Sequence, residues 1–129
     1  MPAASKIRAV AVDDQMTIRS LVRTSLQQIG IADIREYPSA NDALPGLRAA
    51  PPHIVFSDFN MPGMDGIEFL RAIRTDPALK NVAFVLLTGR ADKELVQRAA
   101  QFGANNYLVK PFTVANLKQK IEQVFGALV

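Results

Sequence analysis

The polar residues of this chain that could do chemistry each follow a short apolar run. Runs of this length that are rich in β-branched and aromatic residues are typical of buried strands. In a parallel sheet the carboxyl ends of the strands share one edge, which is where open α/β proteins bind ligands. The residues expected to meet at that edge are Asp13, Asp14, Asp58, Thr88 and Lys110.

Three carboxylates at one edge of a sheet would repel one another unless a cation lies between them. Asp13, Asp14 and Asp58 offer hard oxygen ligands. These suit Mg²⁺, which keeps several waters and binds only one or two carboxylates directly. For Asp13-Asp14 alone, a helix cap and a solvated acid would be a sufficient interpretation. Asp58 at the next strand end, with Lys110 opposite, favours a metal site with Mg²⁺ as the cofactor.

Lys110 and Thr88 add a cation and a hydroxyl to the same edge. A lysine that ends a buried strand beside carboxylates is better explained as a fixed countercharge than as a surface group. Because Pro111 follows it, Lys110 is biased toward extended backbone, and the peptide bond between them can be cis. Thr88 could cap the next helix, or its hydroxyl could donate to a phosphoryl oxygen.

Apolar runs alternate with amphipathic stretches along the whole chain, which predicts five βα units in an α/β fold. The helices are too short for a closed barrel, so we expect an open parallel sheet with helices on both faces. A flavodoxin-like (βα)5 arrangement with strand order 2-1-3-4-5 would bring the three aspartates together. The predicted strands are 7–12, 33–37, 53–57, 82–87 and 107–109.

The helical patterns make detailed predictions. Ser39 should cap the second helix, which runs to about Ala49 and should be kinked or shortened by Pro45. The fourth helix is expected from Ala91 to Phe102, and Thr113 should cap the fifth. The first helix is expected to end at a glycine and to bury one stripe of side chains: Ile18, Leu21, Val22, Leu26 and Ile29.

Length and composition restrict the class of protein. The 129 residues suit one domain, and without cysteine there can be no disulfide or thiolate metal site. No apolar stretch approaches the roughly 20 residues that span a bilayer, and no signal peptide is apparent, so we expect a cytoplasmic protein without membrane contact. The net charge is +3, but Lys and Arg are dispersed, which argues against nucleic acid as a partner. We expect a monomer.

Together these residues resemble the receiver domains of two-component response regulators. The resemblance covers nearly the whole chain. It is closest to the single-domain chemotaxis regulators of the CheY type, and it implies one receiver domain over residues 1–129 without an output domain. Four ordered motifs carry it: Asp13-Asp14, Asp58-Phe59-Asn60-Met61-Pro62-Gly63-Met64-Asp65-Gly66, Leu86-Leu87-Thr88-Gly89, and Gly103-Ala104-Asn105-Asn106-Tyr107-Leu108-Val109-Lys110-Pro111-Phe112.

The resemblance implies a role for each acidic residue. Asp58 would be the phosphoacceptor, attacking the phosphohistidine of a CheA-like sensor histidine kinase. Asp14 and Asp58 would bind Mg²⁺ directly, together with the backbone carbonyl of Asn60. Asp13 would reach the ion through water.

The resemblance also implies a switch. Lys110 would pair with Asp58 and then with the phosphoryl group. Thr88 would hydrogen-bond that group and move toward it, opening space for Tyr107 to rotate inward. The face formed by the fourth helix, the fifth strand and the fifth helix would then change its binding to a target, expected to be a FliM-like flagellar motor switch protein.

Other functions stay open at this stage. A phosphate sink or a phosphorelay receiver would use the same site without touching a motor. A Mg²⁺-dependent phosphohydrolase is a more distant alternative, because such enzymes need a second acid two residues after the nucleophile, where this chain has Asn60. We therefore expect no enzymatic activity beyond phosphorylation and dephosphorylation of Asp58 itself. A further hypothesis is that Arg90 leans over the acyl phosphate and alters its lifetime.

Overall fold

Five parallel strands form one sheet in the order β2-β1-β3-β4-β5. They belong to a computed structural model that describes residues 3–89 and 92–129. This order confirms the predicted flavodoxin-like α/β fold. The strands are β1 (Arg8–Val12), β2 (Asp33–Tyr37), β3 (Ile54–Asp58), β4 (Ala83–Thr88) and β5 (Asn106–Val109). The helices are α1 (Met16–Ile29), α2 (Ala40–Ala49), α3 (Gly66–Thr75), α4 (Lys93–Gln101) and α5 (Val114–Phe125), preceded by a 3-10 turn at Ala4–Lys6.

The sheet is covered on both faces, as the predicted crossovers require. Alternate residues of β1 point to opposite sides, so that Val10 and Val12 join one hydrophobic cluster and Ala9 and Ala11 join the other. The first cluster is formed with α2, α3 and α4, and the second with α1 and α5. β3 and β4 are buried along their whole length, which explains the apolar runs at residues 54–56 and 83–87 within them.

Two details of the helices differ from the predictions. Leu21, placed on the buried stripe of α1, is 40% exposed, while Ser25 is buried instead. The buried face of α1 is centred on Val22, Ser25 and Leu26, and Leu21 lies at its margin. Pro45 does not shorten α2, which continues to Ala49. Its ring lies on the exposed side of the helix, so it does not disturb the packing of α2 on the sheet, and its missing N–H removes one hydrogen bond from the helix.

The predicted caps of α2 and α5 are confirmed. Ser39 accepts a hydrogen bond from the Asp42 N–H, and Thr113 forms a reciprocal capping box with Asn116. The predicted start of the fourth helix at Ala91 lies outside the described residues, in which α4 begins after Asp92. No helix in the described ranges has both the length and the apolar character needed to cross a membrane.

Candidate functional site

The three aspartates lie together at the carboxyl edge of the sheet. One carboxylate oxygen from each of Asp13, Asp14 and Asp58 lies within 4.8 Å of the others. Asp58 ends β3 and Asp13 follows β1, and these strands are neighbours in the sheet. Asp13 and Asp58 are only 1% and 5% exposed, whereas Asp14 faces solvent. The predicted convergence of these residues is therefore present.

Lys110 supplies a positive charge to this cluster. Its Nζ donates to Asp58 Oδ1 at 2.8 Å and lies 3.9 Å from Asp13 Oδ2. Its backbone N–H donates to the Thr88 carbonyl at 2.7 Å, which extends the pairing of β4 and β5 to the site. The Lys110–Pro111 peptide bond is cis. The lysine thus faces the two buried acids from the far side of the sheet edge, as its position in the sequence indicated.

Asp13 is the least well satisfied of the acids. Its Oδ1 accepts a hydrogen bond from the Gln15 N–H at 2.9 Å, but within the described part of the chain its buried Oδ2 has no hydrogen-bond partner. Burial raises the pKa of Asp13 from 3.8 to about 6; the Gln15 hydrogen bond opposes the rise and the charge of Asp58 adds to it. A buried carboxylate oxygen without a donor, grouped with two further carboxylates, fits a divalent cation.

The loop after β3 is held close to the site by backbone contacts. Phe59 N–H donates to the Leu87 carbonyl, and Gly66 N–H donates to the Phe59 carbonyl at 2.8 Å. A side chain at Gly66 would place its Cβ 2.6 Å from the Asp58 carbonyl oxygen, so this close return requires glycine. Asp65 then begins α3 through a capping box with Glu68.

Thr88 and Asn60 lie beside an open cavity of about 450 Å³, together with Phe59 and Gly89. Thr88 is the last residue of β4 and is buried, whereas Asn60 is exposed. Thr88 is not the cap of α4, because the Asp92 side chain accepts from the Glu94 and Leu95 N–H groups. The cavity gives solvent a path to the Thr88 side of the site.

Tyr107 lies apart from the acidic cluster. It is half-buried on the edge strand β5, paired in register with Leu86, while Thr88 pairs with Val109. His53 is exposed, and its Nδ1 accepts a hydrogen bond from the Arg8 N–H at 2.9 Å. Arg90 lies outside the described residues.

Arg19 contributes to the site but was not singled out from the sequence. Its Nη1 donates to the Asp13 carbonyl at 2.7 Å, and its Nε lies 3.7 Å from Glu36 Oε1. The guanidinium therefore fixes the backbone that carries the first two aspartates. An arginine in the first turns of a helix is ordinary, so the sequence held no signal for this contact.

Comparison with known proteins agrees with this geometry. The family model of the response regulator receiver domain matches residues 9–122. A probable chemotaxis protein CheY of Rhizobium etli is 50% identical over 128 residues, 99% of each chain. Chemotaxis protein CheY-3 of Vibrio cholerae is 39% identical over 122 residues, 95% of this chain and 94% of the relative.

The fold also matches a solved structure. The crystal structure of chemotaxis protein CheY4 of Vibrio cholerae superposes with a TM-score of 0.85 at 31% identity, over 96% of this chain and 99% of that one. A family model that matches most of the chain, close relatives over its full length and a shared fold all agree. The chain belongs to the response regulator receiver domain family of two-component signalling systems.

Proposed function

We propose that this protein is a phosphorylation-switched signalling protein in which Asp58 accepts a phosphoryl group from a CheA-like sensor histidine kinase. The observation that carries the proposal is the 2.8 Å contact of Lys110 Nζ with the buried Asp58 carboxylate, inside a cluster of three aspartates. A buried acid that is held by a fixed ammonium group, next to residues that line an open cavity, is suited to act as a nucleophile.

In the proposed reaction an oxygen of Asp58 attacks the phosphorus of a phosphohistidine. The new O–P bond forms as the P–N bond breaks, and the histidine leaves with the bonding electron pair. Lys110 shifts from the carboxylate to the transferred phosphoryl oxygens, so its charge stays paired throughout. Asp58 is thereby converted to an acyl phosphate, and no external substrate is turned over.

A divalent cation, for which we propose Mg²⁺, would be held by Asp14, Asp58 and the Asn60 carbonyl, with Asp13 as an outer ligand. When bound, it offsets negative charge on the attacking, transferring and leaving atoms. The carboxylates of the chain would position this cation, and the chain in turn fixes Asp13. Asp13 Oδ1 is fixed by the Gln15 N–H, and the Asp13 backbone by Arg19.

The proposed output is a change of the face formed by α4, β5 and α5. Thr88 would move toward the phosphoryl group and Tyr107 would turn inward, shifting the population between two packings of that face. The names of the relatives support a chemotaxis output. The target that we propose for it is a FliM-like flagellar motor switch protein. A phosphate sink or a relay receiver would share every step except contact with the motor.

Asp58→Asn tests the phosphoacceptor. Incubation with kinase labelled on its histidine should transfer label to the wild-type protein and none to the variant, because an amide oxygen is a poor nucleophile and yields no stable acyl phosphate. Asp33→Asn, at the opposite end of the sheet, is the matched control and should be labelled like the wild type. Robust labelling of Asp58→Asn would contradict the assignment.

The output is tested by a pull-down with and without beryllofluoride, a stable mimic of aspartyl phosphate. Motor switch protein retained only with beryllofluoride is the expected result. Retention of kinase alone would favour the phosphate sink, and retention of a phosphotransfer protein would favour the relay.

A further inference from the structure

The Tyr107 ring is contacted by a cation from the last helix. Lys120 Nζ lies 4.8 Å from the ring centroid, within the roughly 6 Å over which a cation is attracted to an aromatic face. Lys120 is half-buried, whereas Lys118 on the same helix is exposed. The two lysines are therefore not equivalent solubilising groups, since only Lys120 is recorded against an aromatic ring.

A second contact keeps β5 and α5 at a fixed separation beside this pair. Asn106 Nδ2 donates to Gln123 Oε1, three residues beyond Lys120 and so on the same side of α5. The lysine stem thus starts from a helix that is tethered to the strand of Tyr107. The hydrogen bond between β5 and α5 therefore helps to position Lys120 over the Tyr107 ring.

Space for a different ring position lies between β5 and α4, on the face of the sheet where Tyr107 packs against the first hydrophobic cluster. A cavity of about 170 Å³ between α4 and β5 is bordered by Tyr107 and otherwise mostly by small side chains: Val96, Ala99, Ala100, Ala104, Asn105 and Asn106. A ring that turned toward this cavity would leave the ammonium group of Lys120. The two positions of the ring therefore differ by one cation–π contact.

We infer that Lys120 is a positioning residue for Tyr107: its ammonium group holds the ring in the unphosphorylated orientation and so sets the threshold of the switch. The inference rests on the proposed function, in which Tyr107 turns inward on phosphorylation. A contact made in only one of two states shifts their equilibrium by its own strength. Weakening it therefore favours the phosphorylated conformation and tightens binding of anything that selects that conformation.

Lys120→Met keeps the length of the side chain and removes its charge. We expect this change to tighten beryllofluoride binding, measured by calorimetry at fixed Mg²⁺, by about two- to fivefold, the range of an exposed cation–π contact. The sign is diagnostic. Removing a positive charge by itself weakens the binding of an anion, so general electrostatics predicts the opposite change.

Three variants make the measurement specific. Lys120→Arg keeps a cation over the ring and should bind beryllofluoride like the wild type. Lys118→Met removes an equal charge from the exposed side of α5 and should not tighten binding. In a Tyr107→Leu background, Lys120→Met should lose its effect, because the ring is gone. Unchanged or weaker binding in Lys120→Met, or an undiminished effect without the ring, would overturn the inference.

The wild-type protein provides a check that does not depend on how the variants fold. In its NMR spectrum the Lys120 ε-methylene protons should be shifted upfield by the ring current of Tyr107 and should lose that shift on addition of Mg²⁺ and beryllofluoride. An unshifted signal without beryllofluoride would overturn the inference and leave the proposed function intact. Failure of the wild type to bind beryllofluoride at all would overturn the proposed function as well.

Discussion

The two ends of the sheet differ in whether their charged side chains have hydrogen-bond partners. At the amino end of β4 and β5, the Arg74 guanidinium donates to three backbone carbonyls and to the Asn105 side chain, with distances of 2.6 to 3.2 Å. At the carboxyl end, two buried atoms have no hydrogen-bond partner among the described residues. They are Asp13 Oδ2 and the Nε of the nearby Arg19. The sheet thus has a satisfied cation at one end and under-satisfied groups at the other.

This difference separates a structural charge from a functional one. Arg74 joins α3 to the segment that leads into β5, through the Gly103 carbonyl and Asn105, whose Oδ1 also accepts from the Phe84 N–H. Nothing further is needed to stabilise it there. At the acidic edge the carboxylates repel one another, and a bound cation would relieve that repulsion. A phosphoryl group on Asp58 would in turn pair with Lys110. Incomplete satisfaction marks the end of the sheet where a ligand is expected.

The largest effect on stability should come from removing the hydrogen bonds of Arg74 at the amino end of β4 and β5. We expect Arg74→Met to lower the free energy of unfolding by about 3 kcal/mol, because several charge-assisted hydrogen bonds are lost and carbonyl groups are left without donors. Burial lowers the pKa of the Arg74 guanidinium, because the charged group loses contact with water. Its hydrogen bonds to the carbonyls offset the free-energy cost of that desolvation. Urea unfolding followed by circular dichroism measures the change.

Arg71→Met is the matched control for Arg74. Arg71 lies one turn earlier on α3, is exposed, and stacks over the Phe102 ring at 5.0 Å. Its loss should cost less than about 1 kcal/mol. Equal effects of the two substitutions would show that the hydrogen bonds of Arg74 contribute little, and the contrast between the two ends would then fail.

The next effect has the opposite sign. Asp13→Asn should raise the stability of the metal-free protein at pH 7 by about 2 kcal/mol, because a buried carboxylate whose pKa is raised to about 6 is unfavourable to ionise in the folded state. The amide keeps an oxygen for the Gln15 N–H. Affinity for Mg²⁺ should fall in the same variant. Asp14→Asn, at an exposed position, should change the stability much less.

The pH dependence follows from the same shift. The Asp13 carboxyl binds its proton more tightly when folded, so its contribution to stability is complete below pH 4 and is lost as the pH rises through 6. Relative to Asp13→Asn, the metal-free wild type should lose stability between these values. Unfolding curves in a chelator would measure the difference. Parallel curves for the two proteins would mean that Asp13 titrates normally.

The sequence predicted the acidic edge of the sheet better than the contacts of Arg74 at the opposite end, for a physical reason. Parallel strands fix where their last residues lie, so Asp13, Asp58 and Lys110 could be brought together from the strand pattern alone. The contacts of Arg74 and Lys120 depend on where long side chains reach across elements, and one sequence carries no period for that. The exposed Leu21 shows the same limit, since a helical stripe does not say how wide the covering face is.

Lys110→Ala gives the smallest expected change in binding and tests the acidic edge most directly. Lys110 is the one cation recorded against these carboxylates among the described residues, so its removal leaves their repulsion to be relieved by the metal alone. We expect Mg²⁺ affinity to stay unchanged or to rise several-fold, since a competing charge is removed. Phosphorylation of Asp58 should no longer change target binding. Lys118→Ala, an equal loss of charge on an exposed side of α5, should leave both properties unchanged. Weaker Mg²⁺ binding in Lys110→Ala alone would mean that the lysine organises the acids and does not compete for them.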